Sequence, residues 1–256
     1  MTSTVHRFFF SVVACVVTWT ACADEAQAGL VLNGTRVVYP ESAREITLRV
    51  ANMGREPVLA QSWIDDGRAD VPPERLHVPF VVAPAVTRVE PGKDAVLRIK
   101  YTHDPLPADR ETVFWLNVLE APPARDADVN ALQFAFRTRI KLFYRPDSLK
   151  DDADSAPDRL VWRAVTLEPQ AGAGARGAKV AIEASNPTPY HVSFGQVESD
   201  VGGTYVSAGG GMVAPFSKAR FPLPGVSVPS NRKASVRYQS IDDYGGRSTA
   251  TKALTD

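Results

Sequence analysis

The sequence predicts an all-β fold made of two immunoglobulin-like β-sandwich domains. Most apolar stretches after residue 29 alternate with polar residues at period two or are short β-branched runs, which are the patterns of half-buried and buried strands. Turn residues separate these stretches at short intervals, and no long helical pattern interrupts them. About seven such strands precede residue 146, the number expected for one immunoglobulin-like sandwich.

The predicted strands follow one another along the first half of the chain. The clearest examples are Glu45–Val50, Val58–Ile64, Ala95–Tyr101, Thr112–Leu119 and Ala131–Tyr144. Short turn segments lie between them, and Pro91-Gly92 fits the two central positions of a type II turn, where glycine takes a positive φ. The first sandwich is therefore expected to end near residue 146.

An acidic segment separates the two predicted sandwiches. Residues 147–158 contain one large apolar residue, Leu149, and we expect a solvated linker there. Strand-like runs then resume at Leu160–Trp162, Lys179–Ile182, His191–Phe194, Thr204–Val206 and Ala234–Tyr238. We therefore expect an N-terminal domain over residues 29–147 and a C-terminal domain over residues 148–256.

Residues 1–28 are predicted to be a signal peptide. A weakly basic start precedes an uncharged, apolar stretch from Phe8 to Ala23, which is shorter than the roughly 20 residues that span a bilayer. Ala26-Gln27-Ala28 supplies a small-x-small cleavage site. The alternative of a lipid on Cys22 is weaker, because Trp19-Thr20-Ala21 lacks the usual aliphatic residue. We expect an exported mature chain that does not insert into a membrane.

The composition disfavours metal, thiol and nucleic-acid chemistry. The formal net charge is +0 and the chain has no basic run, so we expect no nucleic-acid partner. Both cysteines, Cys15 and Cys22, lie in the predicted signal peptide. The histidines of the mature chain, His77, His103 and His191, are far apart and lack the spacing of metal ligands. We expect neither a metal site nor a cofactor.

One enzyme motif occurs, but in the wrong context. Residues 172–177 match the G-x-G-x-x-G pattern of dinucleotide-binding proteins, in which a helix must follow the glycines. Here the following residues 178–184 have the pattern of a strand, so a hairpin turn is the better interpretation. The G-x-S-x-G pattern of a serine hydrolase does not occur. We therefore predict no catalytic residues and no enzymatic activity.

The segment Leu106–Pro123, which reads LPADRETVFWLNVLEAPP, resembles the signature of the PapD-like chaperones of pilus assembly. Ala121 departs from the pattern, because the family usually has an aliphatic residue there. Other stretches are similar to the family's first strand, to the end of its G1 strand and to parts of its second domain. These are Thr35–Val37, Val86–Gly92, Thr138–Pro146, Asn186–Tyr190 and Ile241–Arg247.

This resemblance implies a periplasmic chaperone whose two domains are set in an L-shaped arrangement. Proteins of this family bind pilus subunits by donating the G1 strand and deliver them to an outer-membrane usher. Because an exposed apolar edge strand promotes aggregation, we also expect the free protein to hide this strand by pairing with a second copy in a self-capping dimer. The short segment between Pro123 and Asn130 resembles the F1–G1 loop of the short-loop subgroup.

The resemblance assigns roles to two sets of charged residues. Arg36 and Lys141 match the pair that anchors the C-terminal carboxylate of the subunit. Glu111, Arg145 and Asp243 match a cluster of ion pairs between the domains. A guanidinium suits the first task because it can bind both oxygens of a carboxylate.

The resemblance also assigns Leu132, Phe134 and Phe136 to the donated strand, where they would enter the groove of the subunit. Their alternation alone is equally compatible with a strand that lines its own core. Strict alternation places Lys141 on the opposite face from these residues, so we expect a bulge or a strong twist to reconcile the two roles.

A second function remains open from the sequence. A secreted β-sandwich adhesin or structural surface protein would share the export signal and the fold. Such a protein would pair its last strand internally, whereas a chaperone would leave that strand available to a subunit.

Overall fold

The computed structural model describes residues 29–123, 134–150, 152–167, 180–226 and 234–255. These residues form four β-sheets, two in each half of the chain. None of the helices within these ranges is long and apolar enough to cross a membrane. The predicted all-β fold with two sandwich domains is confirmed.

The N-terminal half pairs its strands into two facing sheets. Its strands are β1 (Leu30–Leu32), β2 (Arg36–Pro40), β3 (Ile46–Asn52), β4 (Val58–Asp65), β5 (Phe80–Ala83), β6 (Val86–Val89), β7 (Asp94–Tyr101), β8 (Thr112–Ala121) and β9 (Phe136–Arg145). One sheet has the order β1-β3-β7-β5 and the other the order β2-β9-β8-β4-β6. All described pairs are antiparallel except β2 with β9, which run parallel.

The core of the first sandwich follows from the alternation of its strands. In β7, Leu97, Ile99 and Tyr101 are buried, while the residues between them are exposed. Successive side chains of a strand point to opposite faces, so this pattern buries one face of each sheet against the other. The predicted turn at Pro91-Gly92 is also present: Gly92 has a φ of 67°, and the Lys93 amide donates to the Glu90 carbonyl at 3.0 Å.

The C-terminal half forms the second sandwich. Its strands are β10 (Val161–Thr166), β11 (Val180–Ser185), β12 (Val192–Val201), β13 (Thr204–Ser207), β14 (Gly211–Val213), β15 (Lys218–Leu223), β16 (Ser235–Ile241) and β17 (Arg247–Ala253). One sheet has the order β10-β11-β15, and the other has the order β13-β12-β16-β17 with β14 also paired to β12. Trp162 stacks on Tyr238 at 5.1 Å between ring centroids in the core between these sheets.

The segment between the two sandwiches is only partly solvated. The segment expected to be a solvated linker contains a 3-10 helix at Ala153–Arg159, which buries Ala156 against the second core. The prediction of a wholly solvated segment was therefore wrong: small alanines and Leu149 pack on the C-terminal sandwich although their neighbours are acidic. The glycine motif at 172–177 and the proposed signal peptide lie outside the described residues.

Candidate functional site

The site is organised by the parallel pairing of β2 and β9. Arg36, the first residue of β2, lies directly beside Lys141 in this pairing. Residues at the same register position of neighbouring strands project from the same face of the sheet. The two predicted anchor cations are therefore adjacent and face the same way, towards the C-terminal domain.

Arg36 is held by the C-terminal domain. Its Nη1 donates a hydrogen bond to the Ile241 carbonyl oxygen at 2.9 Å, and its guanidinium carbon lies 6.0 Å from the centroid of the Phe143 ring. Burial lowers the pKa of Arg36, although the charges of Asp243 and Asp242 oppose the shift. The guanidinium is therefore fixed in place and partly removed from water.

Lys141 is held in the same way. Its Nζ donates to the Ser193 Oγ at 2.9 Å, and Ser193 belongs to β12 of the C-terminal domain. Burial, together with the neighbouring charge of Arg36, lowers the pKa of Lys141 to about 8. Two partly desolvated cations side by side form a site that favours an anion.

The two faces of β9 are used differently. Ile140, Leu142 and Tyr144 are buried in the core of the first sandwich, whereas Arg139 and Lys141 lie on the opposite face. The pairing of β8 with β9 runs without a register shift from Thr112 opposite Tyr144 to Glu120 opposite Phe136. Of the two expected explanations, the bulge is therefore absent, and a strong twist stays a prediction; the continuous register keeps Lys141 and Phe136 on opposite faces.

Two predicted donor residues are the most exposed phenylalanines described in the first half of the chain. Phe134 is 61% exposed and Phe136 is 62% exposed, and their ring centroids lie 6.3 Å apart. Phe136 shares the face of Leu142 but lies beyond the end of the core that covers Leu142. Leu132 lies outside the described residues.

The edge of β9 beside these phenylalanines is open. On one side, β8 pairs with β9 from Phe136 to Tyr144. On the other side, β2 pairs only from Lys141 to Arg145, and no other described strand pairs with Phe136–Ile140. The backbone groups along this part of the edge are therefore available to another strand.

The three residues predicted to connect the domains are in contact. Arg145 Nε donates to Glu111 Oε1 at 2.8 Å, and Arg145 Nη1 and Nη2 donate to the two oxygens of Asp243 at 2.7 and 3.0 Å. Burial opposes the charge of Arg145, but its hydrogen bonds to Asp243 and the charge of Glu111 raise its pKa above the ordinary value. One guanidinium thus joins a carboxylate from each domain.

The sequence did not single out three further contacts at this boundary. Ser193 and the Ile241 carbonyl hold the anchor cations, and the His191 amide donates to Glu111 Oε2 at 2.8 Å. The spacing of His191 in the sequence argues only against a metal site, and nothing distinguishes Ser193 from other serines in the sequence. Only the packing of the two domains brings these groups together.

A cleft of about 480 Å³ lies along this boundary and is lined by Arg36, Phe143, Arg145, His191, Tyr238 and Asp243 among others. Within the described ranges, no group of three or more His, Cys, Asp or Glu side chains is placed to hold a metal ion. The lining of the cleft combines cations, carboxylates and aromatic rings, which are groups suited to the recognition of a polar ligand.

Residues 29–150 match the model of the pili and flagellar-assembly chaperone, PapD N-terminal domain, and residues 155–252 match that of the pili assembly chaperone PapD, C-terminal domain. The chain belongs to the PapD family of pilus-assembly chaperones.

Similar proteins support this membership. The probable fimbrial chaperone YadV of Escherichia coli strain K12 is 39% identical over 237 residues, which cover 91% of this chain and 92% of that protein. The crystal structure of the CupB2 chaperone of Pseudomonas aeruginosa is 50% identical with a TM-score of 0.71, over 88% of this chain and 100% of that one. The structure of the SafB chaperone of Salmonella enterica, solved with the SafA pilin, is 26% identical in sequence with a TM-score of 0.68. The match covers 89% of this chain and 97% of that one.

The contacts of Arg145 generate a prediction about the domain boundary. Arg145→Ala leaves Glu111 and Asp243 facing each other without a cation, and breaking such a pair typically costs roughly 3–5 kcal/mol. We expect a large drop in the free energy of unfolding in urea and a broader distribution of shapes in small-angle X-ray scattering.

Arg98→Ala is the matched control, because the Arg98–Glu45 pair lies on an exposed sheet surface. Such a pair is worth about 1 kcal/mol or less. Equal stability and equal scattering for the Arg145 and Arg98 variants would show that the Arg145 cluster does not hold the domains together.

Proposed function

We propose that this protein binds pilus subunits in the periplasm, covers their incomplete fold with β9, and passes them to an outer-membrane usher. The observation that carries the proposal is the arrangement on a single strand. Lys141, paired with Arg36 of β2, lies in the middle of β9, and an open edge that leads to the exposed Phe136 and Phe134 begins immediately beyond it. The proposed domains are residues 29–147 and 148–256, and the proposed role is binding rather than catalysis.

The cations supply the first half of this function. The C-terminal carboxylate of a subunit, bound between Arg36 and Lys141, would supply a negative charge to two cations that are partly removed from water. The Arg36 Nε is buried and, among the described residues, has no hydrogen-bond acceptor, so it is a donor that a carboxylate can satisfy. The anchor thus fixes the position of the end of the subunit chain.

The open edge supplies the second half. A subunit strand anchored at Lys141 would run beside Phe136–Ile140 and pair with the free backbone groups of β9. Phe134 and Phe136 would then enter the apolar groove of the subunit. Burying each phenylalanine contributes roughly 1.5–3 kcal/mol, in addition to the backbone hydrogen bonds. Leu132, outside the described residues, continues the same alternation.

The same features favour a chaperone over an adhesin or a structural surface protein. An exposed apolar strand edge promotes aggregation, and a protein exported as a final product would be expected to cover it. A chaperone needs this edge for its subunit, and we propose that the free protein covers it by pairing with a second copy. The short F1–G1 loop subgroup remains a prediction, because its loop lies outside the described residues.

The anchor predicts a loss of binding on charge removal. Arg36→Ala and Lys141→Ala should remain folded, because each removes a partly desolvated cation, but should bind subunit roughly 30-fold or more weakly. The measurement is the yield of pilin that co-purifies from periplasm, compared with Lys100→Ala on the exposed face of β7. Normal pilin yield from both anchor variants would remove this assignment.

The same anchor predicts a pH dependence with a defined sign. Because the pKa of Lys141 is about 8 in the fold, the free protein loses this charge as the pH rises through 8, and the affinity for a carboxylate should fall by up to about tenfold per pH unit above that. In the unfolded chain the lysine keeps its proton up to a pH of about 10.5, so its titration increases the free energy of unfolding as the pH rises from about 8 to about 10.5. Unfolding is therefore not the cause of the expected loss of affinity. Lys141→Arg should abolish this fall in affinity above pH 8. A fall as steep as that of the unmodified protein would contradict its assignment to Lys141.

The donor face predicts a separation of binding from stability. Phe134→Asp and Phe136→Asp should each reduce subunit affinity about tenfold or more, because a charge would enter an apolar groove, while the melting temperature stays close to that of the unmodified protein. Leu142→Asp is the control on the same strand and the same face, and it should unfold the domain because Leu142 is 0% exposed. Melting temperatures that fall equally in all three variants would place the phenylalanines in the protein's own core.

A further inference from the structure

A buried carboxylate lies on the outer face of the sheet that carries β9. Asp65 is the last residue of β4, and its side chain is 1% exposed. Its Oδ1 accepts from the Gly67 amide at 2.7 Å, and its Oδ2 accepts from Asn117 Nδ2 at 2.8 Å. Arg139 of β9 donates to both oxygens, from Nε at 2.8 Å and from Nη2 at 2.5 Å. Asp65 thus joins three neighbouring strands.

A second arginine of β9 joins the same network. Arg137 Nε donates to Asn117 Oδ1 at 2.9 Å, and its Nη2 lies 3.6 Å from Asp65 Oδ2. The guanidinium carbons of Arg137 and Arg139 lie over the rings of Trp63 and Trp115, at 4.9 and 4.6 Å from the ring centroids. Burial opposes the charge of Asp65, but its bonds to Arg139 and Asn117 lower its pKa below the ordinary value, so the network is ionised at neutral pH.

These two arginines occupy the part of β9 that has the least other support. From Phe136 to Ile140 the strand pairs on one side only, and its even-numbered face carries exposed Phe136 and Thr138. The part of β9 before Ile140 has no buried face, so its register is less strongly specified than that of the following residues, which pack in the core. A local slip of one residue there would move each side chain to the other face. Such a slip would carry the phenylalanines to the outer surface and the arginines to the binding side.

We propose that Asp65 is a positioning residue for the donor strand: it fixes Arg137 and Arg139 and thereby sets the register in which Phe134 and Phe136 face the subunit. This inference rests on the proposed function, because a positioning role matters only if β9 is donated. The general alternative is that Asp65 only stabilises the N-terminal domain as a whole.

The chain offers a matched control for this alternative. Glu183 of β11 is also a nearly buried carboxylate, with a side chain 4% exposed. It binds Arg220 Nε at 2.9 Å and Lys218 Nζ at 3.1 Å on a sheet face of the C-terminal domain, and none of these residues belongs to β9. Glu183→Gln therefore reports the general cost of neutralising such a carboxylate.

The test compares Asp65→Asn with Glu183→Gln in the free protein by amide hydrogen exchange. If Asp65 positions the strand, exchange should accelerate about tenfold or more at residues 137–140, while residues 142–144 and the C-terminal domain keep their rates. Glu183→Gln should leave residues 137–140 unchanged. If Asp65→Asn does not fold, Arg137→Gln breaks the outer link of the network at a side chain that is 31% exposed, and the same local acceleration is expected.

A functional measurement completes the test. The pilin that co-purifies with the unmodified protein is the probe, and its yield should fall at least tenfold with Asp65→Asn while it stays normal with Glu183→Gln. Uniformly faster exchange across the N-terminal domain, unchanged exchange at residues 137–140, or normal pilin yield despite local acceleration would each overturn the positioning role. Failure of the donor function itself would appear separately, as normal pilin binding by the Phe134 and Phe136 variants.

Discussion

The parallel pairing of β2 with β9 is the constraint on which the rest of the site depends. It places Arg36 beside Lys141, and it ends there, so that the edge of β9 from Phe136 to Ile140 has no described partner strand. One boundary between paired and unpaired backbone therefore fixes both the anchor and the start of the open edge. A longer β2 would keep the cations but would cover the edge that a subunit needs.

The C-terminal domain explains why these cations are held so firmly. Ile241 and Ser193 accept hydrogen bonds from Arg36 and Lys141, and Asp243 binds Arg145. Long basic side chains lose much conformational freedom on binding, so fixing them beforehand lowers the entropic cost of capturing a carboxylate. The second domain thus contributes to recognition by orienting groups that the first domain supplies, even though β9 belongs to the first domain.

Much of this arrangement could be read from the sequence, and the remainder could not for a physical reason. Period-two alternation predicted most strands and correctly placed Lys141 and Phe136 on opposite faces, and the Leu106–Pro123 segment indicated the family. Alternation does not say what packs against a face, so the bond from Arg139 to Asp65, 74 residues away in the sequence, was not foreseen. For the same reason the sequence could not decide between a bulge and a strong twist in this strand, and the continuous register excludes only the bulge.

The central claim is that the two faces of β9 have separate tasks, and site-specific photo-crosslinking tests it most directly. A photoreactive phenylalanine analogue at Phe136 reports on the donor face, and the same group at Leu59, which is 45% exposed on the outer face of β4, reports on the opposite side of the sheet. With pilin bound, we predict crosslinks to the pilin from position 136 and none from position 59. Crosslinks from position 59, or a stable pilin complex with none from position 136, would contradict the account.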